Sequence, residues 1–103
     1  MSKVSILQHL EPGETVQAQA VAREATLVVT DRRVAVATDV RLAMDLPIED
    51  LRRIEFDIER VRPATLVIVP ERANNEPQVL AIPHDQIPAV AKALVLIAQR
   101  LAS

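Results

Sequence analysis

Glu55, Asp57 and Glu59 recur at every second position, the spacing that puts carboxylates about 7 Å apart on one face of a strand. Carboxylates so placed could share a proton for acid–base work or grip a hard cation. A cation site, however, draws its oxygens from a loop or from several elements. Alternating charge is also how the solvent face of a strand resists edge pairing. Ile54, Phe56 and Ile58 interleave with these acids, so the run reads as a solvated face over a buried one. His9 and His84 lie far apart, and neither sits in a His-Glu-x-x-His pattern. A metal site would need both to converge with an acid such as Asp85. Ser2, Ser5 and Ser103 are all near the ends of the chain, where a nucleophile lacks a fixed base. There is no cysteine, which removes disulfides, thiolate metal sites and cysteine nucleophiles. A single glycine, Gly13, leaves no glycine-rich phosphate cradle. The expectation is a protein with no catalytic residues, no metal and no cofactor.

Arginine is the other residue type that could do chemistry here, because its planar fork binds phosphate oxygens in pairs. Arg32, Arg33 and Arg41 fall in or near turns and are the candidate anion-binding residues, with Arg32 and Arg41 expected at one end of the fold. Asp31, Asp39 and Asp45 are interleaved with them, and the whole chain carries a net charge of −2. A patch neutralised in this way binds weakly and loses affinity with salt. Nucleic acid is not expected as a partner, and membrane or phosphoinositide binding is disfavoured. Phe56 is the lone aromatic, which removes stacking platforms for bases and cages for quaternary ammonium ions.

The elements that must position these residues follow from periodicity. Residues 15–23 alternate, with Val16, Ala18, Ala20 and Ala22 on one side. Residues 25–30 and 34–37 are rich in β-branched side chains and flank Asp31-Arg32, a hairpin. A turn at Thr38-Asp39 leads into a strand over 42–46, and further strands span 51–59, 64–69 and 78–82. Glu11-Pro12-Gly13 ends a short helix over residues 2–10. Asp85 suits the N-cap of a final helix with Pro88 in its first turn. Its apolar stripe runs through Ile87, Val90, Ala91, Leu94, Ala98 and Leu101. At 103 residues, half of them hydrophobic, the chain reads as one α+β domain over residues 1–103, seven antiparallel strands and a helix. The opening residues do not read as an export signal, so a cytoplasmic location is expected.

Leu10-Glu11-Pro12-Gly13-Glu14, then Leu27-Val28-Val29-Thr30-Asp31-Arg32-Arg33-Val34, then Pro47-Ile48-Glu49-Asp50-Leu51 resemble the bacterial pleckstrin-homology-like domains. The resemblance covers nearly the whole chain. It implies two packed antiparallel sheets in a half-open barrel, closed at one end by the helix. It implies no activity, since the fold hosts lipid, peptide and protein binding as well as self-assembly. The basic signature of eukaryotic lipid-binding members is replaced here by Ala22-Arg23-Glu24-Ala25, and the helix tryptophan is absent.

Apolar content carries the functional expectation. Runs 27–29, 66–69 and 79–82 do not alternate cleanly between apolar and polar, and a strand apolar on both faces expects cover on both. One helix covers one side. Val28, Val67, Val69, Leu80 and, on the helix, Leu96 are the candidate interface residues. The expected function is a non-catalytic binding or assembly module that works through protein contacts and forms a homo-oligomer. A peripheral lipid or anionic-ligand binder using the turn arginines is the alternative, and a small enzyme ranks last.

Overall fold

Strands form where β-branched residues cluster, and the chain folds as an uninterrupted meander. A computed structural model describes residues 10–72 and 75–102; the helix expected over 2–10 lies outside them, Leu10 excepted. Strands β1 (Val16–Val21), β2 (Thr26–Thr30), β3 (Arg33–Ala37) and β4 (Leu42–Pro47) form one antiparallel sheet in sequence order. A 3-10 turn, Ile48–Asp50, carries the chain into β5 (Leu51–Asp57), β6 (Ala64–Pro70) and β7 (Gln78–Ile82), the second sheet. A second 3-10 turn, His84–Gln86, runs into helix α1 (Ile87–Ala102). Asp85 is therefore inside a 3-10 turn begun after Pro83, not at a side-chain cap.

The two sheets are separate ladders stitched at their corners. The amide of Arg23 donates to the carbonyl of Ala81 at 3.0 Å, and that of Glu71 to Asp50 at 2.8 Å. At the free edge of β1 the amide of Val21 donates to Oε1 of Gln86 at 2.9 Å. Inward residues of both sheets form one core with the helix: Ala18, Ala20, Leu27, Val29, Val34, Val36, Leu66, Ile68, Leu80 and Ile82 with Val90, Ala93 and Ile97. In β6 and β7 the larger side chains Leu66, Ile68, Leu80 and Ile82 point in, while Val67, Val69 and Val79 point out. Ile54 and Phe56 face inward from β5 as their spacing predicts, and both are half-buried against this core. Ile58 lies past the end of β5 and is exposed.

Two bulges move residues off the expected faces. Val16 pairs with Thr30 while Ala18 pairs with Val29, so Gln17 is an extra residue and Val16 crosses to the outer side. Likewise Val36 opposes Met44 and Ala37 opposes Leu42. Val16 and Leu42, with Leu10, pack against Val28 and Ala35 on the outer face of the first sheet.

The helix is rotated from its expected phase. Its buried residues are Val90, Ala93 and Ile97, with Ile87, Ala89, Leu94 and Leu96 half-buried against the core. Ala91, Ala98 and Leu101 are exposed. The rotation is roughly 75° about the axis, given 3.6 residues per turn. Helix α1 lies mainly on β1, whose inward residues Ala18, Ala20 and Ala22 are small enough to admit it closely. Ile97→Ala is therefore expected to cost about 2–5 kcal/mol in urea unfolding, as for a buried aliphatic truncation. Leu101→Ala is expected to cost less than about 0.5 kcal/mol, as at an open surface. Equal losses would restore the phase read from the sequence.

Candidate functional site

The densest polar geometry joins three distant stretches of chain. Gly13 adopts φ +80°, a backbone that side-chain-bearing residues rarely take, and turns residue 14 toward the sheet. The amide of Glu14 donates to the carbonyl of Glu11 at 3.0 Å. In the β2–β3 turn, Thr30 Oγ1 accepts the amides of Arg32 (3.0 Å) and Arg33 (2.9 Å). Its hydrogen is left for Oε2 of Glu14 at 2.6 Å. Arg33 grips the same carboxylate in bidentate fashion, Nε to Oε2 at 2.8 Å and Nη2 to Oε1 at 2.7 Å. The amide of Glu11 supplies a fourth bond, to Oε1 at 2.9 Å. On its other side Arg33 Nη1 reaches both oxygens of Asp45, at 3.1 and 3.0 Å.

Glu14 is fully buried at its side chain and Arg33 nearly so, with 0% and 13% exposed. The hydrogen bonds from Arg33, outweighing the cost of burial, hold the Glu14 carboxyl at about 2 instead of the ordinary 4.5. Hydrogen bonds from Glu14 and Asp45 raise the Arg33 guanidinium in turn. A carboxylate so firmly ionised is a poor general base at neutral pH. The cluster is a structural knot.

That arrangement decides the fate of the three candidate anion-binding arginines. Arg33 is already occupied by two carboxylates. Arg32 is half-exposed, 3.9 Å from Asp31, and lines a groove of about 450 Å³ with Glu11, Glu49 and Arg100. Arg100 Nε donates to Glu49 at 2.8 Å and holds the Glu49 carboxyl below its ordinary value, so this groove is of mixed sign. Arg41 ends the turn at 38–41, at the opposite end of β3 from Arg32, which corrects the expectation that the two share an end. That turn repeats the β2–β3 design: Thr38 Oγ1 accepts the amides of Val40 (3.3 Å) and Arg41 (3.1 Å). Thr-Asp-x-Arg thus occurs twice, a signal in the sequence for two threonine-held turns. The cleft between residues 22–25, Thr38 and β7 has a volume of about 380 Å³, and its charged lining residues are Arg23 and Glu24.

The remaining candidates have plain structural positions. Glu55 pairs with Arg53 at 3.2 Å on the open face of β5. His84 Nε2 meets the carbonyls of Glu59 (2.9 Å) and Arg62 (2.7 Å). Both are acceptors, so this nitrogen carries hydrogen and the ring fastens the ends of the β5–β6 turn. His9 lies outside the described residues. No helix among the described residues is long and apolar enough to cross a membrane.

Of the five candidate interface residues, Val28 (2% exposed) and Leu80 (7%) are buried within the chain itself. Leu96 is half-buried on the inward side of α1, because the helix phase differs from the one its spacing predicts. Val67 and Val69 do lie on an outer face, that of the second sheet. Beside them is Val79, 67% exposed and opposite Val67 in register. Sequence reasoning took Leu80 in its place. The usable signal was size, since leucine and isoleucine take the inward positions of β6 and β7.

No protein-family model matches this chain, and neither does any curated protein sequence. Its fold is similar to that of a pleckstrin homology domain from Shewanella amazonensis, with a TM-score of 0.68 over 95% of this chain and 93% of that one, at 15% sequence identity. Identity that low carries the fold alone. The chain has a pleckstrin-homology-like fold, as the resemblance in its sequence implies.

The knot gives a pH signature. Glu14 has a depressed folded-state pKa, so its contribution is present above about 4.5 and is lost as pH falls toward about 2. That shift corresponds to about 3 kcal/mol. Glu14→Gln is expected to cost about 3–5 kcal/mol at neutral pH, because Arg33 is left buried without its main partner. The variant should also lose less stability than the parent between those pH values, measured by urea unfolding. Parallel pH curves would mean that the carboxylate is not held as the geometry has it.

Proposed function

We propose that this pleckstrin-homology-like chain is a non-catalytic binding module that acts through protein contacts, self-associates, and uses the outer face of its β5–β6–β7 sheet to do so. One observation carries the reading. The outward residues of β6 and β7 are Thr65, Val67, Val69, Val79 and Ala81, with no charge among them, where an antiparallel sheet facing water ordinarily alternates to polar side chains. Beside them β5 presents Arg53, Glu55 and Asp57 outward. An apolar centre with a charged rim is the anatomy of a protein contact surface.

The first sheet supplies the contrast. Its outward apolar pair, Val28 and Ala35, is covered by Leu10, Val16 and Leu42, whereas Val79 has two-thirds of its surface open. The anionic-ligand reading has less support, because Arg33 is committed to Glu14 and Asp45 and Arg32 and Arg41 stand at opposite ends of β3. An enzymatic reading would need a base, and the strongly shifted carboxyl, Glu14, is locked in its ionised form.

Light scattering across a concentration series tests the reading, since mass action makes association concentration-dependent. The parent mass is expected to rise above that of one chain between about 10 µM and about 1 mM. Val79→Glu should return it to one chain. Val40→Glu, on a still more open turn at 83% exposure, should leave it unchanged. A one-chain mass throughout would reject self-association. Inositol phosphate headgroups are expected to bind no tighter than about millimolar at physiological salt, because the cleft between residues 22–25 and β7 has one cation, Arg23, among its lining residues, with the acid Glu24 next to it. Tighter binding that Arg32→Ala or Arg41→Ala weakens would favour the ligand reading.

A further inference from the structure

Resting on the self-association just proposed, we infer that the occupant of this face is a second copy related by a twofold axis perpendicular to the strands, with Arg53 and Asp57 setting the register. The strand pairing fixes a grid on the face. Arg53 stands beside Val69; Glu55, Val67 and Val79 form a central column; Asp57, Thr65 and Ala81 form the next. The cation is at one end of β5 and an acid at the other, with Glu55 between them held by Arg53 at 3.2 Å.

Two in-plane twofold axes could lay this grid on its own copy. An axis along the strands sets Glu55 against Val79 and Asp57 against Ala81 of the second copy. That sets Asp57 on aliphatic surface with no cation facing it, a costly arrangement. An axis perpendicular to the strands, over the central column, instead sets Val67 on Val67, Val79 on Val79 and Val69 on Thr65 of the second copy. It brings each Arg53 to the Asp57 of the other copy, at both ends of the contact. Glu55 meets its own counterpart on the axis, and each keeps Arg53 of its own chain at 3.2 Å, so that Arg53 stands between its own Glu55 and the other copy's Asp57. Apolar rows meet apolar rows, and opposite charges meet at both ends of the charged row, with Glu55 on Glu55 as the like-charged contact at its centre; the two end pairs supply the self-complementarity that an isologous contact demands. A face whose charges match their own twofold image fits another copy of itself, while a different partner would have to reproduce that pattern.

The face is small. Three strands about 4.8 Å apart and seven residues of about 3.3 Å each give roughly 14 by 23 Å. That lies below the ~800 Å² per partner of stable complexes, so the pair belongs with exchangeable dimers, and the charge row governs which register is populated.

Charge exchange tests the register separately from the association. Arg53→Asp alone and Asp57→Arg alone are each expected to weaken dimerisation about tenfold or more, measured by sedimentation velocity at low salt. The double variant Arg53→Asp/Asp57→Arg should recover to within about threefold of the parent, because the exchanged charges meet again across the axis. Residues 53 and 57 of one chain are about 13 Å apart along β5, so recovery reports a contact between chains. Should a reversal lower the melting temperature, Arg53→Gln and Asp57→Asn replace it, each again expected to weaken the dimer. A parent that dimerises through Val79 with a double variant as weak as the single ones would overturn the twofold register and leave self-association standing. A parent that stays at one chain mass to about 1 mM would remove both.

Discussion

The Glu14 carboxylate is the point on which the first sheet depends. It is buried and charged, a combination that costs several kcal/mol unless every oxygen is paired. Four donors from two stretches meet it: the amide of Glu11, and from the β2–β3 turn the hydroxyl of Thr30 and two nitrogens of Arg33. Arg33 then extends the chain of bonds to Asp45 on β4. The approach to β1, the β2–β3 turn and β4 are thereby fixed relative to one another. Residues 11–14 and 30–33 carry the resemblance in the sequence, and their interdependence gives it a physical content. Gly13 admits the turn, Glu14 supplies the charge, Thr30 shapes the hairpin and Arg33 closes the bonds.

Around that polar anchor, packing is built almost without aromatic rings. Alanines on the inner face of β1 and Ala93 on α1 let helix and strand approach closely, and leucines and isoleucines from β6 and β7 fill the remaining depth. Small residues at a contact give fine-grained interdigitation, which is how an interior reaches crystal-like density without large side chains. The single Phe56 sits at the margin of this core, half-buried. The corner stitches at Arg23–Ala81 and Glu71–Asp50 leave the barrel half-open.

The outer faces differ for a geometric reason. Bulges at Gln17 and Ala43 turn Val16 and Leu42 outward, and with Leu10 they cover Val28 and Ala35. On the second sheet the bulge falls at Arg52, before the outward row begins, and brings no apolar cover to it. Valines 67, 69 and 79 therefore face outward, Val79 exposed and Val67 and Val69 half-buried, bordered by the charges of β5. Those charges read as an ordinary solvent face in isolation. Beside the valines they become the rim of an apolar patch.

Strand order, the seven-strand and one-helix architecture, and the inward phase of Ile54 and Phe56 were legible in the sequence, because period-two patterns and turn residues are local signals. The pairing of Glu14 with Arg33 was not, since a bond across 19 positions leaves no trace in spacing, and the arginine read as available for anions. Successive turns of a meander must lie at opposite ends of their shared strand, so the separation of Arg32 from Arg41 was deducible from topology. The helix phase was beyond sequence reasoning, because α1 is apolar around most of its circumference and periodicity then selects no side. Val28 and Leu80 looked like surplus apolar residues for the same cause: a count of valines and leucines is a property of the chain. Which of them meet water depends on bulges, on the close seat of the helix against β1, and on side-chain size along β6 and β7, and only the folded arrangement brings those together.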